Sequence, residues 1–436
     1  MTEKTYKIIT LGCKVNQYES AFLNEKLVED GWLPSPKNNP ADMTIVNTCI
    51  VTRRASYQSR QAIRKAIREN PSGTIAAIGC YAQVFPDELS QIGGITIIAG
   101  NREKARLLDI LRETGSSSAQ RIFSGDFHDS TPFDYLPIRG FPGRTRAFLK
   151  IQDGCESFCS YCIVPFARGP YRSLDPPRVI ETLKSLCENN YKEVVLTGVH
   201  LGRYGADPRN GAGLKELLHS IGRERFPLRI RLSSLEPNEV SPDLIDMIAS
   251  EDWLCRHFHI PLQSGDNEIL HRMNRRYTSR EFAGLIERIH ETIPMAAIGV
   301  DIMAGFPGED DKAHENSYSL IDELPVSYLH VFPYSPREGT KAVTFSNHVD
   351  SEVIKERAKD LRNLGIKKRK AFYTSCLGME FEVLTEDYYS KEKNIIKGTS
   401  DNYLSVIFPS RRLIKNRLMK VIIEEVLKDC VKGKPA

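Results

Sequence analysis

Along the first 110 residues, short apolar runs alternate with longer stretches in which apolar side chains recur every three or four positions. Residues 6–11 (YKIITL), 43–46, 74–78 (TIAAI) and 95–99 (ITIIA) read as buried strands. Residues 19–30 read as a helix with Phe22, Leu23 and Leu27 on one face, and residues 55–69 as a basic helix. Strands that alternate with helices predict a doubly wound parallel sheet covered on both faces. Residues 115–146 lose this period and scatter Pro, Gly and Asp, which predicts a linker. The alternation resumes with six predicted strands at 148–151, 193–196, 228–232, 257–261, 298–304 and 328–332. Helical stretches such as 177–188, 279–292 and 311–323 lie between them. Six βα units predict a partial barrel, and right-handed crossovers put the carboxyl ends of all its strands on one side. After about residue 375 the pattern shifts to short strands at 380–384, 394–397, 403–406 and 418–426, which predicts a small β-barrel of the oligonucleotide-binding kind. The chain is therefore read as α/β, with units at 1–114, 147–372 and 373–436 and the linker at 115–146.

Composition narrows the class. No window approaches the run of about 18 apolar residues that would cross a bilayer, and the start, MTEKTYKIITLG, lacks the order of a secretory signal. With 41% hydrophobic and 27% charged residues, a globular cytoplasmic protein without a membrane partner is expected. A net charge of +4 excludes a uniformly basic nucleic-acid binder. Basic residues nevertheless concentrate at 53–68, 362–370 and 411–420, where they can meet phosphates. Ten cysteines in a reducing compartment point to metal binding or catalysis before disulfides.

Residues 153–169 (DGCESFCSYCIVPFARG) place Cys155, Cys159 and Cys162 directly after the first predicted barrel strand. Three thiolates on one loop can hold three corners of a [4Fe–4S] cluster and leave the fourth iron to a ligand's amine and carboxylate. The alternative is zinc, but structural zinc takes four ligands. The nearest later candidates, Cys187 and His200, fall in a predicted helix and after a predicted strand. The Cys-x3-Cys-x2-Cys spacing, with Tyr161 in its aromatic slot, resembles the signature of the radical SAM superfamily. That resemblance implies a partial barrel of six βα units, S-adenosylmethionine (SAM) as cofactor, and a cluster that cleaves SAM to a 5′-deoxyadenosyl radical.

Cys13, Cys49 and Cys80 are distant in sequence, yet each falls just past the end of a predicted strand. That edge of an open α/β sheet binds ligands, and adjacent strands about 5 Å apart would gather the three thiols. Three separately buried cysteines are the plain alternative. The segments around them, TLGCKVNQYES, VNTCIVTRRAS and AIGCYAQ, resemble the N-terminal domain of the methylthiotransferases, a radical SAM subgroup. The resemblance extends through the chain to a TRAM-type RNA-binding domain. It implies a second [4Fe–4S] cluster on Cys13, Cys49 and Cys80 that delivers sulfur, an electron donor such as flavodoxin or ferredoxin, a sulfur donor, and a monomer. LGCKVNQYE and IVPFARGP are most similar to the members that act on N6-threonylcarbamoyladenosine in the tRNA anticodon arm. Members acting on isopentenyladenosine more often read FGCQMNE and IVPYTRG, and those modifying a ribosomal protein LGCPKN. Both activities, and a non-catalytic RNA-binding protein stabilised by metal, stand as alternatives.

The resemblance also nominates residues. SAM is expected against Tyr161, against Thr197 and Gly198 after the second barrel strand, against Ser233, Ser234 and Glu236 after the third, and against Gln263 after the fourth. Arg53, Arg54, Arg60, Arg64, Arg168, Arg411 and Arg412 are candidate tRNA contacts. A threonylcarbamoyl group carries a carboxylate, so its pocket calls for a cation, best a forked guanidinium. Arg53, Arg54 and Arg168, just past cluster cysteines, are the candidates. The histidines show no ligand spacing and read as structural or surface.

Overall fold

The computed structural model describes residues 4–36, 39–114, 119–207, 211–392, 394–410, 412 and 414–436. Part of the predicted linker (115–118) and Arg411 lie outside the described residues. The chain opens with six parallel strands: β1 (Thr5–Thr10), β2 (Leu33–Pro34), β3 (Met43–Thr48), β4 (Thr74–Gly79), β5 (Ile97–Ala99) and β6 (Arg121–Phe123). Their order is β2-β1-β3-β4-β5-β6. The winding reverses between β1 and β3, and such a reversal opens a crevice at the carboxyl ends of the two strands that flank it. Helix α1 (Lys14–Glu29) buries Val15, Tyr18, Phe22, Leu23 and Leu27. Helix α2 (Arg53–Glu69) starts at Thr52, whose side chain accepts from the Ala55 N–H. It buries only Ser56, Ser59, Ile63 and Ala66, a narrow face that leaves most of its arginines outside.

Two strands of this sheet were not legible in the sequence. β2 and β6 span two and three residues, too short to show an alternation. β6 pairs with β5 and so brings part of the predicted linker into the N-terminal sheet.

The middle of the chain forms β7 (Arg146–Lys150), a short antiparallel pair of β8 (Gln152–Asp153) and β9 (Arg172–Ser173), then β10 (Glu193–Thr197), β11 (Arg229–Leu232), β12 (His257–Gln263), β13 (Ala297–Ala304) and β14 (Tyr328–Pro333). The six long strands make two parallel sheets, β11-β10-β7 and β12-β13-β14, with β7 and β14 at the outer edges. This is the predicted partial barrel of six units. The helix Ser351–Ser375 packs along β14 and leads into a closed barrel. That barrel consists of β15 (Glu380–Ser390), β16 (Ile395–Ser400), β17 (Ser405–Pro409), β18 (Leu418–Val426) and β19 (Val431–Pro435). Its order is β15-β16-β17-β19-β18. The closing strand, VKGKP, escaped the sequence reading because lysines and a glycine fill most of its positions. Among the described residues, no helix is long and apolar enough to cross a membrane.

One buried carboxylate fastens the closed barrel to the core. Glu193 on β10 is fully buried and bonds Arg229 and Arg231 on β11, each at 2.8 Å. The two guanidiniums then donate onward to the carbonyls of Glu382, Thr399, Ser400 and Asp401 at 2.7–2.9 Å. Burial alone would raise the Glu193 carboxyl, but Arg231 and Arg229 outweigh it and hold it down at about 2. Glu193→Ala leaves two guanidiniums buried without their counter-charge, and should cost about 3–5 kcal/mol in chemical unfolding. A depressed carboxyl contributes stability above its unfolded value of 4.5 and loses it as pH falls towards 2. The stability gap between wild type and Glu193→Gln should therefore shrink over that window.

Candidate active site: two cysteine triads across a domain junction

The first triad lies at the crevice of the N-terminal sheet. Cys13 ends the turn after β1 and caps α1, Cys49 follows β3, and Cys80 opens a short helix directly after β4. β1, β3 and β4 are neighbours, so one sheet edge gathers all three. The turn at Gly12 (φ 92°) is close-fitting: a Cβ there would stand 2.7 Å from the Sγ of Cys49. Ser59 Oγ accepts from the Cys49 N–H at 3.1 Å, and Asn101 Nδ2 donates to Cys80 Sγ at 3.4 Å. Burial pushes the Cys49 thiol up to about 11, with the charges of Cys80 and Cys13 adding to the rise. Cys13 is also raised by burial among protein groups, with Arg168 opposing. Its residue surface is nonetheless exposed to solvent.

The second triad lies on the loop between β8 and the helix Val164–Arg168, at the carboxyl end of the barrel's first strand. The Cys155 N–H donates to the Gly169 carbonyl and the Cys162 N–H to the Cys159 carbonyl, each at 2.9 Å. Gly154 (φ 79°) permits the approach, since a Cβ there would fall 1.7 Å from the Pro170 carbonyl oxygen. Arg275 donates to Cys159 Sγ at 3.3 Å and is ion-paired with Glu236. His200 Nδ1 lies 3.5 Å from Cys155 Sγ, and its Nε2 is 2.7 Å from Glu239. Burial would raise Cys155, but His200 and a backbone N–H at Ser157 hold it below the ordinary thiol range. Cys162 is pushed up to about 12 by burial and by Cys159, which outweigh the backbone N–H of Val164.

Both triads fit iron–sulfur ligation better than any acid–base role. Each offers three soft donors, and beside the second triad Glu236 and Glu239 are paired with Arg275 and His200. Buried thiols that resist ionisation are deprotonated on binding a metal.

The predicted SAM contacts share the rim of the second triad. Thr197 is buried at the end of β10, and Gly198 approaches Gln152 so closely that a Cβ would lie 2.7 Å from its side-chain oxygen. Ser233 is buried and Ser234 exposed after β11, while Glu236 is held by Arg275. Gln263 takes a left-handed φ of 67° at an irregularity ending β12, the kind of strain that re-aims a side chain at a site. Tyr161 packs edge-on against Phe306, 6.4 Å between ring centres.

The predicted arginines divide. Arg53, Arg54, Arg64 and Arg412 are exposed. Arg60 is half-buried and donates to the Tyr81 hydroxyl at 2.6 Å. Arg168 is corrected: it is 2% exposed, donates to Asn16 Oδ1 at 2.7 Å and pairs with Glu19, so it reaches neither phosphate nor substrate. Its position after a cysteine motif suggested exposure, but the short helix turns it inward. Glu239 and Arg275 were not found from the sequence, and His200 was weighed there only as a zinc ligand. No spacing marks them, and only their place on the strand-end rim could have done so.

Comparison with known proteins agrees with this geometry. Residues 5–100 match the family described as uncharacterized protein family UPF0004, and residues 149–321 match the radical SAM superfamily. Threonylcarbamoyladenosine tRNA methylthiotransferase MtaB of Bacillus subtilis is 36% identical over 95% of this chain and 92% of that protein. The protein of the same name from Aquifex aeolicus is 38% identical over 86% of this chain and 91% of its own length. The tRNA-2-methylthio-N(6)-dimethylallyladenosine synthase of Moorella thermoacetica is 31% identical over 99% and 98%. Among solved structures, the radical SAM methyltransferase TsrM of Kitasatospora setae shares the fold, with a TM-score of 0.55 at 17% identity over 77% of each chain. On this evidence of sequence and fold together, the chain belongs to the MtaB-type radical SAM methylthiotransferases.

Proposed function

We propose that this chain adds a methylthio group to carbon 2 of N6-threonylcarbamoyladenosine beside the tRNA anticodon. The observation that carries the reading is the pair of cysteine triads, each gathered at a strand-end edge, with the short helix that Cys80 opens packed against the helix Val164–Arg168 that follows Cys162. The substrate choice is supported by the higher identity to relatives named for threonylcarbamoyladenosine, 36% and 38%, than to one named for dimethylallyladenosine, 31%.

In this reading Cys155, Cys159 and Cys162 hold the [4Fe–4S] cluster that meets SAM, and Cys13, Cys49 and Cys80 hold an auxiliary one. When bound, these groups supply the homolytic cleavage of an unreactive C–H bond, the sulfur and the methyl, chemistry that general acid–base catalysis does not reach. The protein's own task is to place and shield. Arg275 directs a charged N–H at the Cys159 sulfur, and His200, held by Glu239, does so at Cys155. A cleft of about 570 Å³ lined by Phe85, Phe127, Cys155, Phe158 and Phe166 has room and aromatic faces for a base lifted out of its stack. Arg53, Arg54, Arg64 and the exposed Tyr57 on α2 present phosphate and stacking contacts towards an RNA strand. An electron donor of the flavodoxin or ferredoxin class and a sulfur donor complete the cycle, which a tRNA substrate places in the cytoplasm.

Mass analysis of tRNA nucleosides tests the substrate. A strain lacking this chain should keep N6-threonylcarbamoyladenosine and lose its 2-methylthio form; loss of the methylthio group from isopentenyladenosine instead would reassign the substrate. Arg275→Met should leave three thiols in place while removing a cation beside one of them. The potential of that cluster should fall by some tens of millivolts, up to roughly 100 mV, in an EPR-monitored titration. An unchanged potential would place the second cluster's control elsewhere.

A further inference from the structure

The segment after β14, residues 335–342, touches both triads' surroundings. Ser335 Oγ accepts from the Arg53 N–H at 3.1 Å, at the start of α2. The Ala342 N–H donates to the Ser160 carbonyl at 2.7 Å, within the second cysteine loop. Gly339 lines the 570 Å³ cleft beside Cys155 and approaches Ile163. Between these anchors sits Arg337, 8% exposed.

Arg337 is unusual for a buried guanidinium because most of it is unused. Nη1 donates to Ser56 Oγ at 3.0 Å. Nε and Nη2 are buried and have no hydrogen-bond partner. These two nitrogens form one edge of the guanidinium, with parallel N–H bonds that match the two oxygens of a carboxylate. The charged and titratable groups that act most on Arg337 are Cys49, Tyr81, Arg53 and Arg60, and none of these is a carboxylate. Arg53 and Arg60 add positive charge beside it, reinforced by the positive end of α2, whose first turn carries no acid. An orphaned buried donor pair costs free energy unless something fills it.

We infer that the free edge of Arg337, backed by the start of α2, is the subsite that grips the carboxylate of the substrate base's N6 substituent. The inference rests on the proposed threonylcarbamoyl substrate and deepens it. The Ser56 bond fixes the plane of the fork, so Arg337 acts as a specificity residue that touches substrate away from the reacting carbon. Of Arg53, Arg54 and Arg168, the candidates read from the sequence for this carboxylate, Arg168 already has its charge matched by Glu19.

The test uses the full chain, reconstituted anaerobically, with three tRNAs: one bearing N6-threonylcarbamoyladenosine, one bearing the same group with its carboxylate converted to a neutral carboxamide, and one bearing isopentenyladenosine. Direct binding is measured for wild type, Arg337→Lys and Arg337→Gln, with iron content and the visible spectrum as controls. Wild type should prefer the carboxylate over the carboxamide by roughly tenfold to a hundredfold, the range of a charge-assisted hydrogen-bonded pair. Arg337→Gln should bring that ratio close to one while binding the carboxamide tRNA as wild type does. Arg337→Lys, a cation without the fork, should fall between. A ratio unchanged in Arg337→Gln overturns the inference while leaving the proposed substrate intact. Iron loss in both variants without tRNA also overturns it, by assigning Arg337 to the cluster. Failure of wild type to methylthiolate the threonylcarbamoyl tRNA at all refutes the substrate reading itself.

Discussion

A single buried carboxylate ties the helix that Cys13 caps to the segment that carries the second cysteine triad. Glu19 is 2% exposed and lies on α1, the helix that Cys13 caps. It is met by Lys104 from the N-terminal unit, by Lys150 at 3.2 Å from the end of β7, and by Arg168 from the helix that follows Cys162. Lys150 and Arg168 also share Asp153, two residues before Cys155. Burial opposes charge on Glu19, but the three cations win and hold it well below the ordinary carboxyl range. A buried charge is tolerated only when paired, and removing one partner of such a set costs several kcal/mol. The pairing is demanding in geometry, so it fixes α1 against the second triad's loop. Asn16 ties the same cluster to the first triad, donating to the carbonyls of Leu11 and Thr48 at 2.8 and 2.9 Å while accepting from Arg168.

The rest of the architecture follows from that junction. The N-terminal sheet brings one set of thiols to its switch point, and the barrel brings the other to its strand-end rim. Glu19 ties the two units together beside these edges, through Lys150 and Arg168. At the far side of the core, Glu193 plays the same part for the closed barrel. Buried ion pairs are a poor source of net stability but a strict source of register, and a reaction that passes atoms between two centres needs register. The aromatic cleft opens beside Cys155, and Gly339, two residues past Arg337, lines it.

The fold was legible wherever periodicity ran long enough. The six barrel strands and the four main N-terminal strands were read from apolar runs, since strands buried on both faces are nearly uninterrupted. Strands β2, β6 and β19 were not, being short or polar. The site was legible only as cysteines. Spacing gave one triad, and repeated placement after strands gave the other. Arg168 misled because sequence shows that a residue follows a motif but not which way it points. Arg337 and Arg275 were invisible because their partners lie 281 and 116 residues away in the chain.

The most direct test of the account is the iron and labile sulfide content of the anaerobically reconstituted protein, compared with the triple variants of Cys13, Cys49 and Cys80 to Ala and of Cys155, Cys159 and Cys162 to Ala. Two independent clusters predict about eight irons in wild type and about four in each variant. Zinc in place of iron, or iron lost from only one of the two variants, would contradict it.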